Sequence, residues 1–204
     1  MQGQLLIERP PGPSAGDSDG LEPQRVGVLF CCKLRRVGLR RLRVVCAGDE
    51  DKCVWAVREA GYDACFNHKT ERDYGAVLDK LCPQGIDADF ENVGGKIFHA
   101  VFERLNNFGR IAFCGAISEY QDAAPMAGPP KMFAIVQRRL TIQGFIVSDH
   151  VALMAEFVGE VGGLLKAGKL KSRETVVDGL AKAPEAFLGL LRGENFGKLV
   201  VKIA

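Results

Sequence analysis

From Arg43 to the carboxyl terminus, apolar and polar positions fall into short blocks that switch between two periods. "RVVCAG" (43–48) is a continuous apolar run of strand length, and "EDKCVWAVREAG" (50–61) has helical spacing and stops at a glycine. "DACFN" (63–67) reads as a short strand and "RDYGAVLDKLC" (72–82) as a helix. "IDADFENVGG" (86–95) is a strand that ends in a turn. "KIFHAVFERLN" (96–106) places Ile97, Ala100, Val101 and Leu105 on one helical face. A strongly apolar strand, "GRIAFCGAI" (109–117), leads into a Pro-containing loop, a short helix at 131–138 and the strand "LTIQGFIV" (140–147). A long helix over 150–168, a helix over 184–193 and a last strand over 197–204 complete the pattern.

Strands that alternate with helices predict an α/β chain: a doubly wound, mostly parallel Rossmann-type sheet with helices on both faces. Right-handed crossovers gather ligands at the carboxyl ends of such strands, so the residues just after each strand are the candidates for chemistry. Neither an internal repeat nor a heptad array interrupts the alternation.

Composition narrows the partners. The 204 residues are 47% hydrophobic and 25% charged with a formal net charge of +2, which is ordinary for a globular chain and asks for no strongly charged partner. The six basic residues from Lys33 to Arg43 form one short stretch, better read as a solvated face than as a nucleic-acid arm. The sequence has no apolar run long enough for a membrane span, and its acidic first residues are unlike a secretory signal, so the expected compartment is the cytoplasm. Seven cysteines without a CxxC pair suit reduced, structural thiols, and no metal site is expected. Residues 1–42 read as a divergent, loose tail and 43–204 as the folded domain.

Three strand ends carry candidate groups. After the first, Gly48 leaves space and Lys52 brings positive charge, the combination a ribose 2′-phosphate requires. Asp49, Glu50 and Asp51 either face outward at a helix start, leaving Lys52 to the phosphate, or mark an ordinary acidic helix start beside a solvated lysine. After the next relevant strand, "ENVGG" (91–95) lets backbone approach a ligand or simply makes a tight turn. After "GRIAFCGAI", Gly115, Ser118 and Tyr120 put a close-approach glycine and two hydroxyls together. A tyrosine phenol can donate to a carbonyl oxygen that gains charge, or it can cover apolar surface with its hydroxyl in water.

Taken in order and spacing, "RVVCAGDEDK", "GYDACFNHKT", "DFENVGG", "FGRIAFCGAISEY", "LTIQGFIV" and "GLLRGENFGKLVVKI" resemble the carboxyl-terminal half of the medium-chain dehydrogenase/reductase superfamily. The branch they resemble is that of the zinc-independent NADPH-dependent double-bond reductases, which includes prostaglandin, 2-alkenal and curcumin reductases. The resemblance implies an NADP(H) cofactor and hydride transfer to the β-carbon of an α,β-unsaturated aldehyde or ketone. By position it implies that Lys52 contacts the 2′-phosphate beside Gly48, with His68 nearby where the family usually has tyrosine. It also implies that Asn92, Val93, Cys114, Gly115, Ile117 and Ser118 lie along the cofactor. Phe145, Ile146 and Val147 would meet its nicotinamide end, Asn195 would help hold it, and Tyr120 would be the catalytic hydroxyl. The strand over 140–147 resembles one through which such enzymes extend their sheet into a homodimer.

The chain departs from that pattern in two larger ways. The branch has an alanine/glycine loop of the type AxxGxxG before the position of residue 40, whereas here Gly27 and Gly38 stand too far apart to form it. Family members also begin with a β-rich domain that 42 residues cannot encode, so the expectation is a cofactor domain whose amino-terminal catalytic domain is missing. An alternative to the reductase is therefore a non-catalytic fragment that binds nucleotide weakly or pairs with a full-length subunit. On a smaller scale, Gln121 stands where the family commonly has asparagine.

Overall fold

The computed structural model describes residues 35–37, 40–119, 128–129 and 131–203. It begins with an antiparallel hairpin, β1 (Arg35–Val37) and β2 (Arg40–Leu42). Parallel strands and helices then alternate: β3 (Val44–Ala47), α1 (Glu50–Arg58), β4 (Ala64–Asn67), α2 (Tyr74–Leu81), β5 (Ile86–Glu91), α3 (Gly95–Phe102) and β6 (Leu105–Phe113). Next come α4 (Ala134–Arg138), β7 (Thr141–Gly144), α5 (Met154–Lys166), β8 (Glu174–Asp178), α6 (Ala183–Arg192) and β9 (Lys198–Lys202). Among the described residues the parallel strands form three hydrogen-bonded groups: β3 with β4, β5 with β6 and β7, and β8 with β9.

The side chains of β3 explain the doubly wound arrangement. All four of its residues are buried, and neighbours on a strand point to opposite faces. Val45 packs with Ala56 and Ala60, from α1 and its end, and with Tyr62 on one face. Val44 and Cys46 join Phe66, Leu78, Ile86, Phe98, Val101, Phe102 and Ile111 on the other. The first and second strand groups therefore share one core although no ladder hydrogen bond joins them.

Local chemistry sets the helix starts. Asp49 caps α1 by accepting the Asp51 N–H at 2.9 Å, with Glu50 and Asp51 exposed in the first turn, where the helix dipole favours acids. Asp73 caps α2 in the same way through the Ala76 N–H. The acids after Gly48 thus face outward at a helix start, which both readings of them share.

Several boundaries move from the pattern. The helix expected over 96–106 ends at Phe102, because Leu105 starts β6 opposite Ile86. The Arg104 guanidinium turns the chain there, bonding both Asp79 oxygens at 2.7 and 2.9 Å and the Ala100 carbonyl at 3.0 Å. Beneath it, the Ile86 N–H donates to the Arg104 carbonyl at 2.8 Å. The helix expected from 150 starts at Met154, after a 3-10 turn over Val147–Leu153 whose His150 has non-helical backbone angles. Strand β7 stops at Gly144, short of 147, and β8 was not expected at all.

Candidate functional site

Most of the residues singled out in the sequence follow the carboxyl ends of parallel strands, in two clusters and a flank, while Lys52 lies in α1 and Asn195 precedes β9. The first cluster follows β3 and β4. Gly48 leaves β3 directly against His68, which follows β4: a Cβ at Gly48 would come within 3.1 Å of both His68 Nε2 and Lys69 Cε. His68 is anchored through its backbone, its N–H donating to the Ala47 carbonyl at 2.9 Å and its carbonyl accepting the Tyr74 hydroxyl at 2.8 Å.

Lys52 projects from the first turn of α1 and donates from Nζ to the Gly193 carbonyl at 2.5 Å, while Lys69 Nζ reaches the Arg192 carbonyl at 3.2 Å. The carboxyl-terminal carbonyls of α6 thus hold two ammonium groups beside one imidazole. The three bases crowd one another. Burial lowers the His68 pKa, and the charges of Lys69 and Lys52 lower it further. Burial also lowers the Lys52 pKa, with Asp49 opposing the fall and Lys69 adding to it. An anion placed among them would relieve that repulsion.

The second cluster joins the ends of β5 and β6. The Ile117 N–H donates to the Asn92 carbonyl at 3.1 Å and the Ser118 N–H to the Val93 carbonyl at 2.9 Å, with Ser118 Oγ reaching the same carbonyl at 2.5 Å. Cys114 bonds the Glu91 carbonyl through its N–H at 2.9 Å and its Sγ at 3.2 Å. Gly115 continues from Cys114 toward this stitched pair of loops. Burial pushes the Cys114 thiol pKa up, so it stays protonated near neutrality and serves as a weak donor.

The flank follows β7. The Phe145 N–H donates to the Phe113 carbonyl at 3.1 Å, and its ring lies tilted 6.0 Å from that of Phe90, which fixes it beside the second cluster. Ile146 and Val147 are 66% and 40% exposed. Asn195, two residues past the Gly193 whose carbonyl Lys52 holds, spends its amide on the Gly197 carbonyl at 2.6 Å. Tyr120, the catalytic candidate, lies outside the described residues. Lys69 and Glu91 escaped the sequence reading, although each adjoins a residue that it chose.

A Rossmann-type α/β domain with a basic cradle at one strand end and a stitched glycine turn at another is the class that this fold and site define. The chain belongs to the zinc-binding dehydrogenase family, whose model matches residues 26–160. It is 41% identical to the NADPH-dependent curcumin reductase of Escherichia coli strain K12, over 81% of this chain and 50% of that protein. The identity to the NADP(+)-dependent 2-alkenal reductase of Nicotiana tabacum is 39%, over 78% of this chain and 46% of that one.

Among solved structures, CurA from Vibrio vulnificus in complex with NADPH superposes with a TM-score of 0.73 at 42% identity, covering 79% of this chain and 49% of the other. The chain spans about half the length of the relatives it matches. Among the described residues no group of three or more His, Cys, Asp or Glu is placed to hold a metal ion, and no helix is long and apolar enough to cross a membrane.

Proposed function

We propose that this chain supplies the NADP(H)-binding part of an oxidoreductase that reduces the carbon–carbon double bond of α,β-unsaturated aldehydes or ketones. The observation that carries the reading is the cluster of Lys52, His68 and Lys69 packed against Gly48, whose two ammonium groups and imidazole suit a ribose 2′-phosphate. The names of the relatives, an NADPH-dependent curcumin reductase and an NADP(+)-dependent 2-alkenal reductase, support the substrate class.

In this reading Lys52 and Lys69 donate to the phosphate and His68 closes over it, all three held in place by α6 and by the end of β4. Asn92, Val93 and Ser118 line the path from that end, and Phe145 walls the reacting end against water. The nicotinamide supplies the hydride. Tyr120, two residues beyond Ser118, donates to the substrate carbonyl oxygen as negative charge develops there. A second copy of the chain is the proposed partner: among the described residues β7 is exposed at every position and pairs only with β6, which leaves its outer edge to extend the sheet.

The test is NADPH consumption by purified protein with 2-nonenal as the unsaturated substrate. Turnover that requires the 2-nonenal, with NADH a poor substitute, is the expected result. Tight NADPH binding without turnover would leave a non-catalytic cofactor module in place of the reductase.

A further inference from the structure

Glu91, the last residue of β5, is 0% exposed and is the largest polar side chain buried to that degree among the described residues. Its Oε1 accepts the Val93 N–H at 2.5 Å and the Gly94 N–H at 2.8 Å, so one carboxyl oxygen closes the turn that opens α3. Gly94, the residue before α3, has a φ of 74° and offers no side chain of its own, and the carboxyl holds its N–H from three residues upstream. Glu91 Oε2 meets no N–H or O–H donor, and Asp89, two residues back on the same strand face, becomes its hydrogen-bonding neighbour once a proton sits between the two carboxyls. Burial raises the Glu91 pKa, against the opposing pull of the Gly94, Val93 and Asn92 N–H groups, and so favours the protonated form.

The same turn carries the Asn92 and Val93 carbonyls that accept from Ile117 and Ser118. Glu91 thus grips from beneath a loop whose upper side is stitched to the end of β6. Packing alone does not require an acid here. An apolar side chain would fill the space, but it would leave two inward-facing N–H groups without an acceptor.

We propose that Glu91 is a positioning residue for the dinucleotide: its buried carboxyl sets the Asn92–Gly95 turn so that the ends of β5 and β6 present one continuous surface to the nicotinamide half of the cofactor. This rests on the NADP(H) reading above. The role is confined to that half, because the 2′-phosphate cradle is built from β3, β4, α1 and α6 and shares no hydrogen bond with Glu91.

The experiment measures two ligands on the full chain by calorimetry. One is NADPH; the other is 2′,5′-ADP, which has the adenosine 2′-phosphate and no nicotinamide. Three variants are compared with wild type. Glu91→Met keeps the volume and removes the acceptor, Glu91→Asp draws the carboxyl back by one methylene, and Glu91→Gln keeps an acceptor for the two N–H groups while its amide faces Asp89.

Glu91→Met and Glu91→Asp are expected to bind NADPH about tenfold more weakly, with 2′,5′-ADP affinity unchanged, and Glu91→Gln is expected to stay within about twofold of wild type for both ligands. NADPH affinity at the wild-type level in either of the first two variants overturns the proposal, as does an equal loss for both ligands or a Glu91→Gln protein as weak as Glu91→Met. If neither Glu91→Met nor Glu91→Asp folds, Glu91 belongs to the fold alone and the proposal falls. Wild-type protein that binds 2′,5′-ADP and NADPH equally well removes the nicotinamide contacts and this proposal but leaves the phosphate cradle standing. Wild-type protein that binds neither overturns the NADP(H) reading itself, and the proposal with it.

Discussion

Replacing Lys52 with alanine should weaken NADPH binding by about ten- to a hundredfold while moving NADH affinity by no more than about twofold, as read from paired fluorescence titrations. The expectation follows from what Lys52 does in the structure. Its ammonium is partly buried, held by the Gly193 carbonyl and crowded by Lys69, so it is already positioned and partly shielded from water. A charge-assisted hydrogen bond to a phosphate in such surroundings contributes about 1.5–3 kcal/mol, and about 1.4 kcal/mol corresponds to tenfold in affinity. NADH lacks the 2′-phosphate and has nothing there to lose. An equal loss for both cofactors would mean that Lys52 supports the fold of the α1 and α6 ends and does not read the phosphate.

The second large effect concerns stability. Phe102 is 0% exposed, the bulkiest of the side chains buried to that extent, and its ring lies 6.0 Å from that of Phe98 in the core shared by the first two strand groups. Phe102→Ala should cost about 3–5 kcal/mol through lost transfer energy and the cavity left behind. In urea that is a fall of more than about 1 M in the unfolding midpoint. Phe133, 67% exposed, is the control, and its replacement by alanine should stay within about 0.5 kcal/mol. Similar costs at both positions would mean that the shared core does not carry the stability assigned to it.

Much of this architecture could be read from β3 outward. Four consecutive apolar residues closed by a glycine and acids identify a strand buried on both faces that runs into a capped helix, and the structure adds only which side chain goes to which face. The reading failed where one residue satisfies two periods. Leu105 continues the apolar stripe of α3 and also begins the alternation of β6, and only its pairing with Ile86 decides between them. Strand β8 offers two adjacent valines between charged residues, too little pattern to register, and it is fixed by its parallel partner β9.

At the site, residue types and strand ends were legible because both follow from local sequence. Lys69 and Glu91 were not. The importance of Lys69 comes from facing the end of α6 across 123 residues of chain, and that of Glu91 from a burial that nothing in "ENVGG" reveals. The pairing of Asn92 and Val93 with Ile117 and Ser118 was likewise hidden, since a backbone ladder between two loops has no side-chain signature.

Calorimetric titration of the purified chain with NADPH and, in parallel, with NADH bears most directly on the central claim that the strand ends form a site for a phosphorylated nicotinamide dinucleotide. Saturable NADPH binding at least about tenfold tighter than NADH is the result predicted by the cradle of Lys52, His68 and Lys69. Equal affinity for the two, or no saturable binding of either, would contradict it.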